Sequence, residues 1–89
     1  MNTGIQENTR MKIQVYFFAQ VREMAHRNQM EFEIKDGTAL AALIADLKSR
    51  IPDLLSVDFK VAVNNEYVED DRLLVDGDRV AIIPPISGG

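Results

Sequence analysis

The last six residues, Pro84-Pro85-Ile86-Ser87-Gly88-Gly89, end in the one unusual reactive group of the chain, the terminal carboxylate of Gly89. Two prolines fix φ and favour an extended path. Two glycines carry no Cβ and let a backbone pass through a channel too narrow for any other residue. A stiff root with a thin end suits insertion into a partner's active site, with Pro84, Pro85, Ile86, Ser87 and Gly88 threading and Gly89 reacting. The plain alternative is a small, polar, disordered terminus of the kind common at exposed chain ends.

Other constellations are poorer in chemistry. His26 is the only histidine and has no Ser or Asp partner at a recognisable spacing, so it reads as a surface residue. Asp70-Asp71 and Asp76-Gly77-Asp78 lack the spaced oxygens and final glutamate of a calcium loop and read as turns. No lysine follows Gly77, Gly88 or Gly89, and no helix begins at them, so no phosphate cradle is expected there. The chain has no cysteine, hence no disulfide framework, no thiolate metal site and no cysteine nucleophile. No metal site is expected. A self-contained catalyst is disfavoured, and a substrate or carrier role is left.

Composition narrows the partners. With 14 acidic and 10 basic side chains the net charge is −4, and no Lys/Arg cluster stands out, which argues against nucleic acid. No apolar run reaches the length needed to span a bilayer, and no signal-peptide order is seen at the start, so a cytoplasmic address without membrane contact is expected. At 89 residues one domain is expected, burying roughly 60–65% of its unfolded surface.

The elements that must hold the tail follow from periodicity. Residues 1–10 are polar apart from Met1 and Ile5 and read as a disordered leader, with Met11 able to serve as a start in its own right. Alternation of Ile13, Val15 and Phe17 makes Lys12 to Phe18 the first strand, leaving Tyr16 and Phe18 on its second face. Ala19 to Ala25 reads as a short helix, and Met30, Phe32 and Ile34 as a second, half-buried strand closed by Asp36-Gly37. Thr38 is placed as N-cap of the main helix, whose stripe Leu40, Leu43, Ile44, Leu47, Ile51 ends at Pro52. Val61 to Val63 forms a third strand turning at Asn64-Asn65. A minor strand follows around Tyr67-Val68, and Arg79 to Ile83 is the last strand. Val80 and Ile82 face the helix, whereas Ala81, Ile83 and Phe18 point to the other side.

One helix must then cover one sheet, so an α+β domain is expected, a small mixed sheet packed on one main helix over residues 11–84, with 85–89 as a flexible tail. A ferredoxin-like split βαβ is the competing plan and would need a second helix of comparable length.

The block Phe17-Phe18-Ala19-Gln20-Val21-Arg22-Glu23, the Asp36-Gly37-Thr38 entry to the helix, the Val63-Asn64 step, the Asp76-Gly77-Asp78 turn and the closing Ile83-Pro84-Pro85-Ile86-Ser87-Gly88-Gly89 together resemble the small, sulfur-carrying subunits of molybdopterin synthase. The resemblance runs from Met11 to Gly89 and implies the ubiquitin-like β-grasp fold. It also implies that Gly89 is adenylated by an E1-like activating enzyme using ATP and Mg, then converted to a thiocarboxylate with sulfur from a donor protein. The sulfur would pass to a cyclic pyranopterin precursor, building the dithiolene that holds molybdenum. The catalytic lysines would lie on a large subunit, in a heterotetramer, and this chain would bind no cofactor itself. A carboxylate is a poor electrophile, so activation as a mixed anhydride with AMP explains why the terminus must thread into a nucleotide site.

The Gly-Gly end is shared with ubiquitin-like modifiers and the thiamine-pathway carriers, whereas the Pro84-Pro85 pair resembles the molybdopterin branch. His26 departs from the glycine many relatives carry after the Arg-Glu pair, and Ile82-Ile83 replaces aromatic residues seen in some. A thiamine-type or modifier-type carrier and a passive interaction module are the alternatives. Phe18, Arg22 and Ile83 are the expected docking residues beside the tail, against the alternative that the short helix buries Phe18.

Overall fold

The structure, a computed structural model, describes residues 10–85. Strand β1 (Arg10–Phe17) buries Met11, Ile13, Val15 and Phe17 and turns Lys12, Gln14 and Tyr16 away, the period of two that one covered face demands. It begins at Arg10, one residue inside the segment read as a leader, and ends at Phe17 instead of Phe18. Residues 1–9 lie outside the described region.

Helix α1 (Ala19–Ala25) and strand β2 (Gln29–Lys35) follow, then helix α2 (Leu40–Arg50), which buries Leu40, Leu43, Ile44 and Leu47 as one stripe. Thr38 is not its cap. The Thr38 hydroxyl donates to the Lys35 carbonyl at 2.6 Å and closes the turn at Gly37, whose φ of +83° suits glycine, while Ala39 occupies the N-cap position. The first helical amides are satisfied from afar: Leu40 N–H donates to the Arg72 carbonyl at 2.8 Å and Ala41 N–H to the Asp70 carbonyl at 2.9 Å. A distant loop thus does the work expected of a local side chain.

Pro52 ends α2 as expected but also opens a 3-10 turn, Pro52–Ser56, that seats Leu54 in the core. Strands β3 (Lys60–Val63) and β4 (Glu66–Tyr67) are joined by Asn64 and Asn65, both at positive φ, the conformation a two-residue hairpin requires. β4 stops at Tyr67, so Val68 is outside it. Strand β5 (Arg79–Ile83) completes a five-stranded sheet of order β2-β1-β5-β3-β4, in which β1 and β5 run parallel and the other pairs antiparallel. This is the mixed sheet on one main helix expected from the sequence, with α2 covering the face that carries Ile13, Val15, Phe17, Val61, Val63, Val80 and Ile82. α1 has seven residues and does not form the second layer a split βαβ would need. Among the described residues no helix is long and apolar enough to cross a membrane.

The start of β5 is fixed by an acid of the Asp76-Gly77-Asp78 turn. Asp78 is 2% exposed. It accepts hydrogen bonds from Asn64 Nδ2 at 2.9 Å and from Val75 N–H at 2.9 Å, and the Arg72 guanidinium lies 4.0 Å away. Asn64 in turn accepts from Arg79 N–H at 3.0 Å. The hairpin tip and the last strand are thereby locked together, which sets the direction in which β5 delivers the C-terminus.

Candidate functional site

The candidate site is built where β5 ends. Four residues of β1 and β5 pair in parallel register, from Gln14 with Arg79 to Phe17 with Ile82. Beyond the last pair, Phe18 and Ile83 lie at the same end of the sheet. Pro84 is buried and Pro85 exposed, so the first proline belongs to the packed domain and the second begins the departure from it. Ile86, Ser87, Gly88 and Gly89, the reacting and threading residues expected from the sequence, lie outside the described residues.

Phe18 is 47% exposed and sits in an extended conformation at the N-cap of α1. It is not buried by the short helix. Its carbonyl accepts from Val21 N–H at 3.1 Å and from Arg22 N–H at 3.3 Å, so Arg22 is tied to Phe18 through the backbone of the first turn while its side chain faces solvent. Between them Ala19 has φ +51°, a left-handed conformation that costs a residue with a Cβ on the order of 1 kcal/mol. This sharp change of direction turns the chain out of β1 immediately after Phe18. His26, at the other end of α1, also has positive φ, +59°, and its N–H donates to the Glu23 carbonyl at 3.3 Å. It caps the helix in the conformation where glycine is most at ease.

The open face of the sheet leads to the same end. Tyr16, Ala81, Ala62 and Tyr67 stand in one row across β1, β5, β3 and β4, with the two alanines forming a shallow floor between the two tyrosines. One step nearer the tail, Lys60 pairs with Ile83. The Lys60 ammonium lies 5.6 Å from the centre of the Tyr67 ring, and Tyr67 is 66% exposed. Lys60 thus joins Ile83 beside the tail root, with Tyr67 within reach of its ammonium, while Arg22 is tied to Phe18. Sequence reasoning missed Lys60 and Tyr67, because the register that brings β3 beside β5 has no local signature.

Among the described residues no group of three or more His, Cys, Asp or Glu side chains could hold a metal ion. The arrangement is a rigid platform: an exposed aromatic, a half-buried isoleucine and a lysine at the end of the sheet where Pro84 is buried.

Comparison with known proteins gives the platform a context. The family described as the ThiS family matches residues 15–89. A molybdopterin synthase sulfur carrier subunit of Chlamydomonas reinhardtii is 46% identical over 83 residues, covering 89% of this chain and 100% of the relative. Among solved structures, a Pyrococcus furiosus protein described as molybdopterin converting factor subunit 1 superposes with a TM-score of 0.80 at 31% identity, covering 85% of this chain and 99% of that one. Subunit 1 in a Helicobacter pylori complex of subunits 1 and 2 of molybdopterin-converting factor matches with a TM-score of 0.63 at 29% identity, over 89% of this chain and 100% of that one.

Proposed function

The chain belongs to the ThiS family, among the sulfur carrier subunits of molybdopterin synthase, and we propose that it carries sulfur on the Gly89 carboxylate. In this reading the carboxylate attacks ATP within an E1-like enzyme that also holds Mg, releasing pyrophosphate and leaving an acyl-adenylate. A hydrosulfide ion supplied by a donor protein then displaces AMP, giving a thiocarboxylate. The thiocarboxylate sulfur bonds to a cyclic pyranopterin precursor in the active site of the large subunit, and water hydrolyses the acyl–sulfur bond, leaving the sulfur on the precursor and returning the terminus to a carboxylate. All of this takes place in the cytoplasm.

The observation that carries the proposal is the exit of the chain from β5. Rigid pairing through Ile83 and a buried Pro84 lead the chain to exposed Pro85 at the end of the sheet where Phe18 is exposed and Lys60 lies opposite Ile83. A reactive end is useful only if a partner can hold the body while the terminus reaches its catalytic groups, and an exposed aromatic side chain beside the exit suits such holding. The relative from Helicobacter pylori is seen in a complex with subunit 2 of its converting factor, which supports a large subunit as the partner here. A heterotetramer, one carrier on each protomer of a dimeric large subunit, is the assembly this reading expects.

The test is whole-protein mass spectrometry after incubation with an activating enzyme, ATP and a sulfur donor. Replacement of one terminal oxygen by sulfur is expected. A chain that never acquires sulfur, while a known carrier does so in the same mixture, defeats the proposal.

A further inference from the structure

The sheet has two edges of unequal kind. β4 has two residues, whereas β2 has seven and, among the described residues, no strand on its outer side. Sheets commonly protect an edge by shortening, bulging or covering it, or with proline. β2 has no proline, and its register with β1 is unbroken from Arg10 opposite Lys35 to Tyr16 opposite Gln29.

The phase of the ladder says which groups face out. Phe17 N–H donates to the Asn28 carbonyl at 3.0 Å, so the pairs that exchange hydrogen bonds continue through Val15 with Met30, Ile13 with Phe32 and Met11 with Ile34. The other side of β1 agrees: Gln14 N–H donates to the Asp78 carbonyl and the Lys12 carbonyl accepts from Gly77 N–H, both away from β2. The backbone groups of Gln29, Glu31 and Glu33 therefore point outward from the edge. Their side chains lie on the open face, while Met30 and Ile34 are half-buried on the helix side and Phe32 lies beneath the Arg50 guanidinium, 5.1 Å from its ring centre.

Charge selects the occupant. The two-fold antiparallel registers of β2 on a second β2 that overlap over most of the strand centre on Glu31, Phe32 or Glu33. Each of them sets a glutamate opposite a glutamate, a destabilising arrangement on a sheet. A second copy is thus a poor fit. On the inner side Gln14 donates to Glu31 at 3.0 Å and Lys12 stands opposite Glu33, which leaves the outer side of both carboxylates for an incoming strand.

We propose that the outer edge of β2 docks an extended segment of another protein in which Lys or Arg alternates with apolar residues, the basic side chains lying over Glu31 and Glu33 and the apolar ones beside Met30 and Ile34. Strand addition of this kind takes its affinity from the backbone and its specificity from alternate side chains. The site is separated from the tail root by β1 and goes beyond sulfur carriage.

Amide hydrogen exchange on the full chain tests it, with a capped peptide alternating lysine and valine and matched in length to β2 as the probe. At saturating peptide the Glu31 and Glu33 amides should slow by about tenfold or more while the Phe32 amide, already bonded to β1, keeps its rate. A glutamate–valine peptide should have no effect on the native chain and should protect the double variant Glu31→Lys, Glu33→Lys. Unchanged exchange at Glu31 and Glu33, or equal protection by both peptides, overturns the proposal. Protection that grows with protein concentration in the absence of peptide assigns the edge to a second copy and overturns it as well.

Discussion

Phe17 and Ile82 stand side by side in the parallel register of β1 and β5, both almost wholly buried, and the residue that follows each of them turns toward the surface. Phe18 is left exposed and Ile83 half-buried because the core pair consumes the covered face and the chain then changes direction. The packing that stabilises the domain and the surface proposed to dock it are therefore neighbours along both strands, but chemically separable.

That separation predicts different outcomes for two charges. Phe18→Asp should weaken binding to the large subunit and to the activating enzyme by about 2 kcal/mol, with little change in melting temperature, since the ring is already half in water. Ile83→Asp should lose comparable affinity and also about 1 kcal/mol of stability from its buried half. Calorimetric titration and thermal melts on the same preparations check both. A folded Phe18→Asp protein that binds at full strength removes Phe18 from the interface.

The terminus is predicted to be dispensable for folding and indispensable for transfer. The core is assembled from residues between Met11 and Ile82, so removing Gly89 or appending one residue should leave the unfolding midpoint unchanged while abolishing sulfur loading. Gly88→Val should fail in the same way, because a β-branched side chain widens the thread and restricts φ. Sulfur transfer by the chain lacking Gly89 would sink the carrier reading.

How much of this was legible beforehand depended on whether the cause was local. Alternation in β1 and β5 and the stripe on α2 are periodic, so the core face and the outward turn of Ile83 could be read directly from residue types. The cap of α2 could not, because its donors are satisfied by carbonyls of Asp70 and Arg72, about thirty residues away in sequence. Thr38 looked like the right residue and was used one turn earlier. Nor could Lys60 be placed at the tail root, since only the strand order puts β3 next to β5. Asp78 was hidden for another reason: Asp-Gly-Asp signals a turn whichever acid points inward.

Asp78 gives a stability prediction of its own. Its carboxylate accepts from both Asn64 and Val75. Asparagine offers one acceptor where two are needed and turns a donor against a donor, so Asp78→Asn should cost about 1 to 2 kcal/mol and Asp78→Ala about 2 to 3 kcal/mol. Urea unfolding should show a lower midpoint with an unchanged slope for both. Full stability of Asp78→Ala would mean that the hairpin tip and β5 hold their positions without this group.

The two positive-φ residues that bracket α1 should both gain stability from glycine, by different amounts. Ala19 at φ +51° and His26 at φ +59° both hold a Cβ where the backbone disfavours one. Ala19→Gly should therefore raise stability by up to about 1 kcal/mol, the relief of strain being partly offset by the greater freedom of glycine in the unfolded chain. His26→Gly should gain less, about 0.5 kcal/mol, because a polar histidine tolerates the left-handed region better than most residues. Ala19→Val should be clearly destabilising, since a branched Cβ sharpens the same clash. Thermal melts of the three variants, with binding to the large subunit measured in parallel, distinguish strain from function. If Ala19→Gly stabilises the domain but weakens docking, the left-handed turn serves to hold Phe18 outward for its partner; if it stabilises without affecting docking, Phe18 is held by the β1 register alone; and a loss of stability would show that Ala19 is not strained.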